Sequence, residues 1–255
     1  MGEGAGATAA DPAPALDGDT YTPLYRRLHR TIARRIAARD WRPGEAIPSE
    51  AEFARVYDLA VGTVRKAIDA LESDGLIERR HGSGTFVRRS NFNNSMMRFF
   101  LFRDSAGSAL TPESHIVSRR RLTDRPAIAR RLGLEDDAPL IEIIRHRSWD
   151  GGMRLLEDIY LPHASFAAIL ACPETEIGQL LYPAYERLCG TLVCFIEEEI
   201  TIEPASREDA RLLGLRAAEK LVQVERTALD ALRQPLEWRR SRGQTDRFHY
   251  RLSVS

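Results

Sequence analysis

PSEAEFARVYDLAVGTVRKAIDALESDGLIERRHGSGTFVR, residues 48–88 of a 255-residue chain, packs two helix starts and a hairpin into forty-one positions. Ser49 and Glu52 stand at capping-box spacing, where each side chain satisfies a backbone N–H of the other's end of the first turn. The helix they open carries Phe53, Ala54 and Val56, and Tyr57-Asp58 leads out of it. A second helix is predicted from about Val61 to Ser73, with Val64, Ala67, Ile68 and Leu71 on one face and Gly75 as its C′ residue. Two short helices joined by a tight turn make a helix-turn-helix, in which the N-terminal end of the second helix faces base edges. That end holds Thr63, Arg65 and Lys66. Leu76–Arg79 and Thr85–Arg88 then read as strands around the basic, glycine-rich turn Arg80-His81-Gly82-Ser83-Gly84. Such a wing can bring backbone and a side chain to phosphates or into the minor groove. Thr63, Arg65, Lys66, Arg80, His81 and Gly82 are therefore the candidate DNA-contacting residues.

Upstream, Leu24, Leu28, Ile32 and Ile36 recur every four residues with arginines opposite, an amphipathic helix that Trp41-Arg42-Pro43-Gly44 breaks. Residues 1–20 are poor in large apolar side chains and read as a disordered tail. The whole chain has a formal net charge of zero, but residues 21–89 hold 14 Arg/Lys against 9 Asp/Glu, leaving 23 basic and 28 acidic residues elsewhere. A basic segment joined to an acidic one suits a nucleic-acid module attached to a domain of another kind. No apolar run approaches the ~18 residues that span a bilayer, so no membrane partner is expected. The three cysteines, Cys172, Cys189 and Cys194, lack metal-ligand spacing and fit a reduced, cytoplasmic chain.

Pro23-Leu24-Tyr25, Ile47-Pro48-Ser49-Glu50, Gly62-Thr63-Val64-Arg65-Lys66-Ala67, Asp74-Gly75-Leu76-Ile77 and Gly82-Ser83-Gly84-Thr85-Phe86-Val87 together resemble the DNA-binding domain of GntR-type repressors. The resemblance spans about residues 21–88 and implies operator contacts from Arg65, His81 and Gly82. Ala51 and Ala60-Val61 depart from the family pattern, which commonly has arginine at the first position and Ser-Arg at the second. The second change also removes a usual N-cap.

Beyond a polar hinge at 89–95, residues 96–255 alternate between strand and helix signals. Phe99–Phe102 is a short strand candidate and Asp104–Pro112 a loop. Pro126–Leu132 reads as a helix closed by Gly133. Leu140–Trp149 and Leu155–Tyr160 form a hairpin across Asp150-Gly151-Gly152, with Leu161-Pro162 ending the second strand. A mostly helical stretch runs to about Arg187. Phe195–Glu203 alternates with Glu197, Glu199, Thr201 and Glu203 on one side. Ser206 and Asp209 cap a short helix, and Leu221–Asp230, Pro235–Ser241 and Phe248–Val254 complete an antiparallel set. The order indicates an α+β domain, helices packed on a mainly antiparallel sheet.

Arg145 and Arg147 are two apart on a strand, so both point to one face while His146 points to the other. A pair of guanidinium forks suits phosphate or carboxylate. Glu157 lies on the partner strand, and Glu237 is a similar acceptor near the C-terminus. Surface ion pairs across a hairpin are the alternative. Ala129-Arg130-Arg131-Leu132-Gly133-Leu134, the Arg145/Arg147 strand, Leu156-Glu157 to Pro162, Ala210–Leu215, Val224-Glu225-Arg226 and Pro235-Leu236-Glu237-Trp238 resemble the UTRA effector-binding domain of the HutC subfamily. This resemblance implies a chorismate-lyase-like fold and an effector pocket lined by Arg145, Arg147, Glu157 and Glu237. Arg242-Gly243 stands where relatives that bind sugar phosphates often have aromatic residues. The sequence holds no Ser/His/Asp constellation, phosphate-cradling glycine loop or metal-ligand spacing, and neither enzymatic activity, cofactor nor metal is expected. The expected partners are operator DNA, a small anionic effector and a second copy of the chain.

Overall fold

The computed structural model describes residues 15–89, 113–149, 152–245 and 248. The expected strands at 99–102 and 248–254, the 104–112 loop and the hinge after Arg89 fall outside them, Phe248 excepted. The chain divides into two compact units, Met1–Val87 and Arg88–Ser255.

The first unit has three helices and a hairpin: α1 (Leu24–Ala37), α2 (Glu50–Tyr57), α3 (Val61–Ser73), β1 (Ile77–Arg80) and β2 (Gly84–Val87). The four-residue apolar repeat of α1 buries Leu28, Ile32 and Ile36. Phe53 and Tyr57 of α2 and Val64, Ala67, Ile68 and Leu71 of α3 are buried too, and with Leu76, Ile77 and Val87 they supply the apolar interior of this unit. Burial of each such side chain contributes about 1.5–3 kcal/mol. The capping box forms in full, Ser49 Oγ accepting from Glu52 N and Glu52 Oε2 from Ser49 N. At the start of α3, Ala60 supplies no side-chain cap, and its carbonyl takes the N–H of Thr63 instead. The end of α3 is a complete Schellman closure: Leu76 N donates to Leu71 O and Gly75 N to Glu72 O, with Gly75 at φ +72°.

Residues 15–20, the described end of the segment expected to be disordered, are tied down by polar contacts. Asp17 pairs with Arg34 at 2.6 Å and its N–H donates to Thr31 Oγ1 at 2.9 Å. Asp19 Oδ1 accepts from the N–H groups of Tyr21 and Thr22. Local polar partners, which a count of apolar residues ignores, hold residues 15–20 against α1.

The described residues of the second unit form one antiparallel sheet of six strands with helices on both faces. Its elements are β3 (Glu113–Leu122), α4 (Pro126–Arg131), β4 (Leu140–Trp149), β5 (Gly152–Pro162), α5 (His163–Ala171), α6 (Glu174–Ile177), α7 (Leu181–Ala184), a π-helical turn at Tyr185–Cys189, β6 (Phe195–Pro204), α8 (Arg207–Leu213), β7 (Lys220–Leu229) and β8 (Pro235–Gln244). The spatial order is β3-β4-β5-β8-β7-β6. Strand β3 was not expected. It is the outermost strand among the described residues, Ile116 is its one buried apolar residue, and Arg119-Arg120-Arg121 interrupts any alternation. Strand β5 runs through Pro162 rather than stopping at Tyr160, because Leu161 and Pro162 pair with Ile141 and Leu140. The helical stretch after it breaks at Pro173 and again at Gly178, which has φ +70°.

Each face of the sheet has its own core. One packs Ile141, Ile143, Ile159 and Leu161 under Phe166, Ile169, Leu181 and Tyr185. On the other face, Leu132 of the α4 turn covers Leu140, Tyr160 and Trp238, and Ala210 and Leu213 of α8 cover Leu156 and Leu221.

Candidate functional site

The face under α5–α7 changes character partway along. Where β4 carries Ile141 and Ile143 it is hydrocarbon; two residues further on it carries Arg145 and Arg147. Register extends that polar band across the sheet: Arg145 faces Glu157, Glu157 faces Ser241, Arg239 faces Arg226, and Arg226 faces Glu198. All four residues singled out from the sequence lie in this band, and they are buried. Arg145 is 1% exposed and Glu237 0%, so these are not surface ion pairs.

The band is knitted by charge-assisted contacts. Arg145 Nε and Nη2 both reach Glu157 Oε2 at 2.6 Å. Arg239 Nη2 donates to Glu237, 2.8 Å from Oε1, and its Nη1 lies 3.4 Å from Glu157 Oε1, which also accepts from Ser241 Oγ. Tyr185 and Tyr182 donate their hydroxyls to Glu237 at 2.6 and 3.3 Å. Arg226 pairs with Glu198 at 2.6 Å. Burial pushes the Glu157 carboxyl up, but the guanidiniums of Arg145, Arg239 and Arg147 outweigh it and hold that carboxyl down at about 2. Burial, reinforced by Arg145, pushes Arg147 well below the ordinary arginine value. Burial with the nearby Glu237 charge drives the Tyr185 phenol well up, so it remains a donor at neutral pH.

Among the described residues the band holds the guanidiniums of Arg145, Arg147, Arg226 and Arg239 and the carboxylates of Glu157, Glu198 and Glu237. Nη1 of Arg145 and Nε of Arg239 are buried with no hydrogen-bond acceptor among the described residues. A buried donor left unmatched costs about 1–3 kcal/mol. Sequence reasoning missed Arg239, Tyr182, Tyr185 and Glu198. The two-residue alternation Glu237-Arg239-Ser241 would have found the first; Glu198 was hidden because its neighbours Glu197 and Glu199 form the solvent-facing row.

In the first unit the candidate residues divide differently. Arg65, Lys66, Arg80, His81 and Gly82 are exposed and Thr63 is half-buried. Arg65 Nε donates to Glu50 Oε2 at 3.0 Å. Arg80 pairs with Glu78 at 2.7 Å and lies over the Phe86 ring at 4.3 Å, which leaves His81 and Gly82 at the tip of the wing. Gly82 adopts φ +70°, and Ser83 N closes the turn onto Arg80 O. The strand of the wing nearer the core is backed by residues 44–47, where Gly44 and Ile47 donate to Val87 and Thr85 carbonyls.

A helix-turn-helix with a wing, followed by a sheet domain with a buried cationic band, defines a DNA-binding regulator with a ligand-sensing half. Residues 24–87 match the family described as "Bacterial regulatory proteins, gntR family", and residues 108–249 match the UTRA domain. The chain belongs to the GntR family of bacterial transcriptional regulators, in its UTRA-domain (HutC-type) branch. It is a transcriptional regulator rather than an enzyme. The HTH-type transcriptional repressor NagR of Bacillus subtilis is 23% identical over 206 residues, 80% of this chain and 84% of that protein. The crystal structure of PhnF from Mycobacterium smegmatis overlays with a TM-score of 0.53 at 25% identity, covering 89% of this chain and 98% of the other. The ligand-binding domain of a GntR-family regulator from Bordetella bronchiseptica overlays at 0.57 with 29% identity, over 62% of this chain and 98% of its own length. Among the described residues no helix is long and apolar enough to cross a membrane.

Proposed function

We propose that the chain is a cytoplasmic homodimeric repressor. On this reading Thr63, Arg65, Lys66, Arg80, His81 and Gly82 contact operator DNA, and an anionic metabolite bound by Arg145, Arg147, Glu157 and Glu237 modulates that binding. Residues 21–88 serve as the DNA-binding domain, 89–95 as the linker and 96–255 as the effector domain. The observation that carries the ligand half is the pair of buried donors, Nη1 of Arg145 and Nε of Arg239, that have no acceptor among the described residues within a band rich in guanidiniums. An anion with two oxygens matches both donors. The glutamates and tyrosine hydroxyls beside them suit the polar remainder of such a molecule. Repression is supported by relatives such as NagR, which is named a repressor.

Dimerisation is supported by β6, the last strand of the sheet among the described residues, which presents Ile200 and Ile202 to solvent, the latter 62% exposed. An open strand edge with apolar side chains is a ready surface for pairing with another chain. Two winged helices on half-sites one helical turn apart turn modest contacts into specific affinity.

The test is operator binding by Arg145→Ala/Arg147→Ala in the presence of a panel of small carboxylates and phosphates. Where unfolding measurements show it folded despite the stranded Glu157 charge, the double variant should bind the operator nearly normally and lose the metabolite response. A full response in the variant places the ligand elsewhere. Loss of DNA binding outright makes the arginines structural.

A further inference from the structure

Arg65 does not swing freely from the recognition helix. Its Nε is held by Glu50 Oε2 at 3.0 Å, and the other carboxylate oxygen, Oε1, accepts from Arg79 Nη2 at 3.3 Å. Arg79 is anchored in turn by Asp69 Oδ1 at 2.6 Å and by Glu72, both on α3. Glu50 is the first residue of α2, fixed in place by the Ser49 cap. A single carboxylate therefore joins the first helix of the motif, the recognition helix and the wing strand.

The guanidinium is a rigid planar fork of five donors. With Nε spent on Glu50, Arg65 keeps its terminal Nη groups for an outside acceptor, and its side chain is 63% exposed. Two parallel Nη donors match O6 and N7 of guanine in the major groove. Within this network the guanidiniums of Arg65 and Arg79 meet the carboxylates of Glu50, Asp69 and Glu72, so the network itself adds no net attraction for phosphate and serves instead to fix one fork.

We propose that Glu50 is a positioning residue for base readout: it fixes the Arg65 fork to select one G·C pair, and Arg79 shields its carboxylate from the DNA phosphates. The proposal rests on the reading of Arg65 as a base-contacting residue. It separates affinity from specificity, since removing the Glu50 charge takes one repulsive group away from the phosphates and frees the fork to rotate.

The test begins by selecting a preferred duplex for the full-length protein from a random library. Affinities are then measured for that duplex with each base pair changed singly, and for a non-cognate duplex. Arg65→Ala identifies the base pairs that depend on Arg65. Glu50→Gln, isosteric and uncharged, should lose about tenfold discrimination at those same pairs, keep it elsewhere, and bind the non-cognate duplex at least as tightly as the parent. Glu50→Asp, which keeps the charge, should recover part of the loss. Undiminished discrimination at the Arg65 pairs in folded Glu50→Gln overturns the proposal, and so does a loss confined to other pairs, which would make Glu50 a base contact itself. If Arg65→Ala changes no base pair, the reading of Arg65 fails, and the positioning role of Glu50 fails with it.

Discussion

Arg145 and Glu157 are directly opposed on β4 and β5, and two guanidinium nitrogens converge on one carboxylate oxygen at 2.6 Å in a setting almost closed to water. A buried pair of this kind adds little net stability over a hydrocarbon replacement, but breaking it strands a charge. Glu157→Gln leaves Arg145, Arg147 and Arg239 without their shared counter-charge. It should lower unfolding free energy by about 3–5 kcal/mol, read from urea denaturation of the second unit's transition.

The same carboxyl sets a pH signature. Its folded value of about 2 lies below the ordinary 4.5, so its stabilising contribution is complete above about 4.5 and is lost as pH falls toward 2. The stability gap between the parent protein and Glu157→Gln should be constant near neutrality and narrow through that window. Denaturation midpoints between pH 7 and 2 would show it. A gap that closes between pH 7 and 5 would point to another group.

In the first unit the loop geometry makes a separate demand. Gly75 at φ +72° closes α3 between Leu71 and Leu76, and a Cβ there is strained by roughly 1–2 kcal/mol. Gly75→Ala should lower the thermal midpoint without altering the set of bases the folded protein prefers. Ser49→Ala, which removes one half of the capping box, should cost about 1 kcal/mol.

For operator binding, Arg65→Ala should cost about 1–3 kcal/mol if the side chain reads a base edge. His81→Ala at the wing tip should instead weaken all sequences similarly if its contact is to the backbone. Titrations against the preferred duplex and its single-base variants distinguish the two patterns.

Exchanging the exposed apolar pair on β6, as Ile200→Glu/Ile202→Glu, should give a monomer in sedimentation at micromolar concentration. A monomeric parent protein would end the homodimer reading.

The first unit was legible because its signals are local. Capping at Ser49/Glu52, the periodicities of α1 and α3 and the helix stop at Gly75 each act within a few residues. That Arg145 and Glu157 lie on partner strands of one hairpin was legible too, because alternation and a short turn fix it, but that they pair in the interior was not. Strand β3 was not legible, since a strand made of Glu113-Ser114-His115 and three arginines carries no apolar alternation and acquires its state only by pairing with β4. Nor was the full band. Tyr185 reaches Glu237 across 52 residues of chain to join Arg239 there, and no local pattern encodes that.

Three pairs of consecutive residues straddle the sheet. Glu157, Arg239 and Ser241 enter the inner band, while Asp158, Arg240 and Arg242 form a clamp on the outer side, Arg240 and Arg242 each reaching Asp158 at 2.7 Å and Arg242 also reaching Asp209 of α8. A strand that slid by one residue would exchange the two sets, placing the clamp inside and leaving α8 without its tether. The backbone is thereby latched from both sides. Descendants of this chain can retune the sensor by replacing side chains in place, whereas sliding a strand to remake it would dismantle the platform that carries it.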